Sequence, residues 1–194
     1  MNGFSSMGGK INRREVEKIV DRLEIIPSDN LAVCNSQSVT VAAVQMQAKP
    51  YGSLPEYVVD MNLYIADAVN RRAQLICLPA FAGLLPMSFA PQFQALKNRL
   101  VPTGDPECPV DPHGLNEVLS YLSDATFDAY YHTMSVLAAR HGVYLMAGST
   151  LYFQESELCH RAFLFSDEGE LIGYQDKIAE SALEQELQIP PETE

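Results

Sequence analysis

Basic residues are scarce in this chain. Across 194 residues, 13 Lys and Arg stand against 25 Asp and Glu, a formal charge of −12. Such a chain repels phosphate backbones, and no local basic patch offsets the repulsion, so nucleic acid is excluded as a partner. Anionic membrane surfaces are disfavoured by the same charge. Cysteine is sparse too: Cys34, Cys77, Cys108 and Cys159 lie far apart, with no C-x-x-C pair. A disulfide framework needs a denser pattern, and a zinc site needs close ligand pairs. The histidines His113, His132, His141 and His160 have no metal-ligand spacing. No metal or cofactor is implied, and a reducing cytoplasm is the simplest compartment. Glycine periods and sustained heptads are absent, which excludes collagen-like and coiled-coil chains. Residues 1–10 are Gly/Ser-rich and lack the apolar core of a signal peptide.

Charge disappears altogether between Ala73 and Leu96. A membrane-spanning helix needs about 20 apolar residues in a row. Pro79, Pro86 and Pro91 interrupt this stretch, and each breaks helical hydrogen bonding. The segment reads as a buried strand running into an apolar loop, with no membrane span.

What is present is enough apolar side chain, 47% of residues, to build one globular core. Val16, Ile19, Val20, Leu23 and Ile26 recur at helical spacing and predict a helix over 13–26, capped by Asn12 and closed by Pro27. Residues 1–38 therefore form an N-terminal extension with one helix. Val39–Met46 is β-rich and mostly apolar, as a strand covered on both faces is. Ser53, Pro55 and Glu56 mark a helix start, and the apolar face of that helix runs to Val69. Residues 74–78 form a second short strand. The unit has the length of a parallel strand–helix–strand crossover. Residues 80–112 are irregular, with room for a helix near Gln92–Leu100. A second long helix spans 127–141 and ends at Gly142. Strands follow at 143–153, 161–165 and 170–174, the last two joined by a turn at Asp167–Gly169. Residues 184–194 form an acidic tail.

The segments Val39–Met46 (VTVAAVQM) and Asn70–Pro79 (NRRAQLICLP), then Leu137–Ser149, Arg161–Phe165 and Gly173–Lys177, stand in an order that resembles the nitrilase, or carbon–nitrogen hydrolase, superfamily. The resemblance covers about 140 residues, and residues 39–183 read as a partial domain of that kind. It implies an α/β fold: one layer of a nitrilase-like αββα sandwich, a mixed sheet with two helices on one face. It also implies hydrolysis of amides, carbamoyl groups or nitriles by a Glu base, a Lys that stabilises the tetrahedral intermediate, and a Cys nucleophile. A thiol needs a neighbouring base to become the thiolate. A fixed ammonium stabilises the developing oxyanion.

Carried over residue by residue, the pattern is incomplete. The family's Glu follows Leu-Pro at the end of the second strand; here that position is Ala80. The family's Lys matches Lys177, and the His often found two residues later is Ala179. A second Glu matches Glu184, with Glu180 and Glu186 as rivals. The Cys motif lies beyond the residues given. Three explanations stay open: a natural half-domain pseudoenzyme or scaffold, one half of a split hydrolase, and a disrupted fragment. A retained pocket for a small amide ligand is a further role the resemblance allows.

In the family's sandwich the sheet face away from the helices is covered by the second half. Removing about 400 Å² of apolar surface from water is worth roughly 10 kcal/mol before association costs. The resemblance therefore implies a homo-oligomer or a complementary half-domain as partner. Cys159 and His160 are adjacent on a strand and point to opposite faces, so they cannot share a proton. Both Cys159 and Cys77 read as structural thiols, Cys77 within the core.

Overall fold

The computed structural model describes residues 11–28, 38–90, 112–154, 157–179 and 185. Its centre is a five-stranded sheet in the order β1 (Val41–Ala43), β2 (Leu75–Cys77), β3 (Tyr144–Gln154), β4 (Glu157–Phe165), β5 (Leu171–Asp176). The first three strands are parallel and the last two antiparallel. Parallel neighbours need crossovers, and two helices supply them: α2 (Leu54–Asn70) between β1 and β2, and α3 (Pro112–His141) before β3. Ser53 accepts from the Glu56 N–H at the start of α2, and Gly142 (φ +64°) ends α3, as the sequence predicts.

Both helices lie on one face of the sheet. Ile76, Leu145, Phe163 and Phe165 project from that face into a core shared with Met61 and Ile65 of α2 and with Met134 and Leu137 of α3. The opposite face carries Leu75, Cys77, Tyr144, Met146 and Leu164, all half-buried, and Val41, which is 55% exposed. β1 is thus covered on one face only, where its composition predicts cover on both. It is also shorter than the predicted 39–46.

Beside the two helices of the layer stand the expected helix of the N-terminal extension and an unexpected 3-10 helix. α1 (Arg13–Val20) lies on α2 and α3, with Val16 and Val20 fully buried. Asn12 and Glu15 form a capping box at its start. It stops at Val20 rather than Ile26, because the chain turns to bring the Ile26 carbonyl to Nδ1–H of His141, 2.7 Å away. The Ser28 N–H donates to the His141 carbonyl at 2.7 Å. Residues Ala82–Phe89 wind into a 3-10 helix that tolerates Pro86 and buries Ala82, Gly83, Met87 and Ser88. The first part of the uncharged loop therefore packs on its own domain. The predicted helix at 92–100 lies outside the described residues.

Candidate functional site

Ala80 and Lys177, two of the positions carried over from the sequence, follow strands that end on the same side of the sheet. Beyond β2 the chain leaves the ladder after one more bond, from the Leu78 N–H to the Met146 carbonyl at 2.9 Å. Pro79 and Ala80 follow, both exposed. Phe81 then takes a left-handed conformation (φ +62°), which turns its N–H onto the Ser149 hydroxyl of β3 at 3.0 Å. Gly148 allows this close approach: at φ +73°, an added Cβ would stand 2.1 Å from the Pro79 carbonyl oxygen. Tyr130 of α3 donates its hydroxyl to the Gly148 carbonyl at 3.1 Å, and burial pushes that phenol's pKa well up.

Ser149 makes a second contact. Its hydroxyl lies 2.6 Å from Nε2 of His160 on β4, and the Phe81 ring stacks on the imidazole at 4.4 Å. Ser149 thus accepts from the Phe81 N–H and also shares a hydrogen bond with His160 Nε2. The His160 carbonyl in turn accepts from the Lys177 N–H at 2.9 Å. Ala80 and Lys177 are thus tied to one end of the sheet through Phe81, Ser149 and His160. Lys177 follows β5 and is exposed. Beside it Asp176 is ion-paired with Arg161, both buried, and the Arg161 guanidinium sits 3.8 Å from the centre of the Tyr174 ring. Asp176 is therefore committed to a cation and does not replace a missing base. Glu184, Glu180 and Glu186 lie outside the described residues.

Cys159 and His160 are successive residues of β4, on opposite faces as expected. Both Cys77 and Cys159 are reduced thiols. Cys77 is half-buried rather than enclosed, because alternation along β2 gives Ile76 to the core and Cys77 to the other face. Burial pushes its thiol pKa up, which keeps it protonated and poorly nucleophilic. Among the described residues no three His, Cys, Asp or Glu side chains are grouped to hold a metal ion. No helix among them is long and apolar enough to cross a membrane.

Residues 40–191 match the carbon-nitrogen hydrolase family. The chain belongs to that family. No curated protein matches it, but solved structures of the same fold do. One is a double mutant of the amidase from Nesterenkonia sp. AN1 in complex with acrylamide, with 17% identity, TM-score 0.55, and coverage of 84% of this chain and 52% of that one. Another is a mutant of the same amidase in complex with butyramide, with 16% identity, TM-score 0.53, and coverage of 80% and 49%. A third, an amidase from Nesterenkonia sp., gives 17% identity, TM-score 0.51, and coverage of 86% and 52%. This carbon-nitrogen hydrolase chain thus spans about half the length of the amidases it matches.

Within this family member, the Ser149–His160 pair and its role in holding the Phe81 turn are what sequence reasoning missed. Gly148-Ser149 was visible as part of a recognisable segment. Nothing in the sequence pairs Ser149 with His160, which needs the β3–β4 register.

Proposed function

We propose that this chain is a carbon–nitrogen hydrolase layer that does not itself hydrolyse amides by the family's chemistry and acts through association instead. One observation carries the reading. The position that resemblance assigns to the general base is Ala80, exposed at the end of β2, in a stretch with no charged side chain from residue 73 to residue 96. Alanine takes no proton from a thiol, so the base, the oxyanion stabiliser and the thiolate are not together in this chain. Lys177, tied to the same end of the sheet, is read as the retained lysine, and Glu184 as the second carboxylate. Residues 39–183 are read as the family layer, behind an N-terminal extension over 1–38 and ahead of an acidic tail over 184–194. Its thiols suit a reducing cytoplasm.

A second reading is supported by Lys177 and by the half-length match: the chain supplies one half of a split hydrolase whose other half brings the nucleophile. In both readings the face of Leu75, Tyr144, Met146 and Leu164 meets a partner, and the end near Ala80 admits a small amide.

The test is hydrolysis of a panel of short amides and carbamoyl amino acids, with and without a thiol-blocking reagent. No turnover is expected. Thiol-dependent turnover that Cys159→Ala abolishes overturns the proposal.

A further inference from the structure

The family's set of Glu, Lys and Cys uses neither Ser149 nor His160, yet both stand where a side chain of residue 80 would reach. The peptide bond between Ala80 and Phe81 is trans. Its N–H therefore lies on the same side of the peptide plane as the Ala80 Cα. That N–H donates to Ser149 Oγ at 3.0 Å. The planar peptide then puts the Ala80 Cα about 4 Å from the Ser149 oxygen.

The pair is sheltered. Ser149 is 8% exposed and His160 6%. Oγ and Nε2 are 2.6 Å apart, and the Phe81 ring covers one side of the imidazole at 4.4 Å. Phe81 itself is a bulky residue at φ +62°. Such a conformation persists where its surroundings fix it, and it clusters at functional sites. A hydroxyl in contact with an imidazole is the arrangement in which histidine takes a proton. The position that lacks a carboxylate thus has another proton acceptor one peptide away.

We propose that Ser149 and His160 take the proton of a thiol brought to the Ala80 end of the sheet. With the ring proton on Nδ1, Nε2 is the acceptor. The thiol S–H bond breaks and its proton passes to Ser149 Oγ, while the Ser149 proton passes to Nε2. A thiolate and an imidazolium result. Once the thiolate has added to an amide carbonyl and the C–N bond breaks, the same path carries the proton to the leaving nitrogen. Ser149 is the catalytic residue, since it touches the thiol, and His160 acts through it. Arg161, next along β4, projects from the opposite face with its partner Asp176 and takes no part. The source of the thiol rests on the second reading above, in which another chain brings the nucleophile; the proton transfer does not. This chain alone stays silent on amides, because residue 80 and its surroundings supply no thiol.

The experiment supplies the thiol at residue 80. Ala80→Cys is made in the full chain in a Cys77→Ala background, alone and combined with His160→Gln or with Ser149→Ala. Alkylation of that site by iodoacetamide is followed by mass spectrometry from about pH 5 to about pH 10. The reference is the peptide Leu-Pro-Cys-Phe-Ala-Gly, whose thiol ionises near the ordinary value of about 8.5. In the chain, the midpoint of rate against pH should lie lower than the peptide's by about one pH unit or more. Both combined variants should return it toward the peptide's. Glutamine keeps a hydrogen-bonding amide at 160 and removes only the basic nitrogen. A change of access scales the whole curve and moves no midpoint, so a merely structural role leaves the midpoint in place. Lys177 is present in every variant, so its charge does not produce the difference. Equal midpoints in chain and peptide overturn the proposal, and so does a lowered midpoint that survives His160→Gln. The comparison with the peptide decides by itself if a combined variant fails to fold. No amide enters the assay, so this inference and the hydrolytic silence fail separately.

Discussion

Ser149 and His160 are neighbours because β3 carries one extra residue between Met146 and Ser149. Before that bulge Met146 pairs with Leu164; after it Ser149 pairs with Ala162. The extra residue moves Ser149 to the face away from the helices, where the His160 ring lies 2.6 Å from its hydroxyl. Ser149→Ala removes the hydroxyl that accepts from the part-buried Phe81 N–H and lies against the buried His160 ring. Losing the Phe81 bond costs about 1–3 kcal/mol. The melting temperature should fall by roughly 5–10 °C at about 2–4 °C per kcal/mol for a chain of this size. Thermal unfolding followed by circular dichroism measures it, and an unchanged midpoint would show that the pair carries no load.

Gly148→Ala should be worse. The position is left-handed, and the new Cβ would meet backbone, the Pro79 carbonyl, which cannot swing aside as a side-chain tip does. Strain and overpacking together cost about 3 kcal/mol or more. Gly142→Ala is the control: its φ is +64° but nothing lies within 4 Å of the added Cβ. It should cost only about 1 kcal/mol, the strain of a left-handed alanine. Chemical denaturation of both variants compares the two costs directly.

Ala80→Glu alone should yield no amide hydrolysis. Removing one member of a cooperating catalytic set costs nearly as much as removing all, and a restored base without a thiol beside it has nothing to deprotonate. Turnover should appear only when a family second-half fragment carrying the nucleophilic cysteine is mixed with the variant. Release of ammonia from short amides, assayed with and without that fragment, is the measurement. Turnover by Ala80→Glu alone would contradict the expectation.

His141 gives the chain a pH-dependent clasp. It is fully buried, with Nδ1 on the Ile26 carbonyl and Nε2 2.8 Å from the Asn62 side-chain oxygen Oδ1. Burial lowers its pKa from 6.5, and the bond to Ile26 only partly opposes this. A base whose pKa is depressed by folding binds its proton more readily when unfolded. Its contribution is therefore complete above pH 6.5 and declines as pH falls below that value. Arg140, the residue before it, is exposed and paired with Asp21. The melting temperature of the parent should drop more steeply below pH 6.5 than that of His141→Gln. Parallel curves would dismiss the clasp.

Much of the layer is legible from residue pattern. The Ser53 cap, Gly142 and the Asp167–Gly169 turn act through local chemistry, and each stands where the sequence puts it. Gly169, at φ +77°, has the conformation that turn demands. Long-range effects were hidden. Leu23 and Ile26 keep helical spacing, yet the tertiary bond at His141 pulls the chain out of the helix after Val20. Val39–Met46 reads as mostly apolar, but exposure depends on what lies over the strand, and nothing in Val41 itself records that its outer face is open. The candidate positions Ala80 and Lys177 are easy to locate because they follow recognisable strands. Ser149 and His160 meet through a bulge, and a one-residue shift in pairing leaves no local mark in the sequence.

The docking of α1 also bears on how the chain is made. Its ties to the rest are distant in sequence: Arg13 to Ser135, Asp21 to Arg140 and Ile26 to His141. A helix of 8 residues does not hold its shape alone. At about 5–20 residues per second of synthesis, roughly ten seconds pass between the emergence of α1 and that of its seat on α3. During that interval Val16 and Val20 are exposed on the nascent chain. α1 emerges well before its seat on α3, so chaperones that scan emerging polypeptides have an opening at this segment.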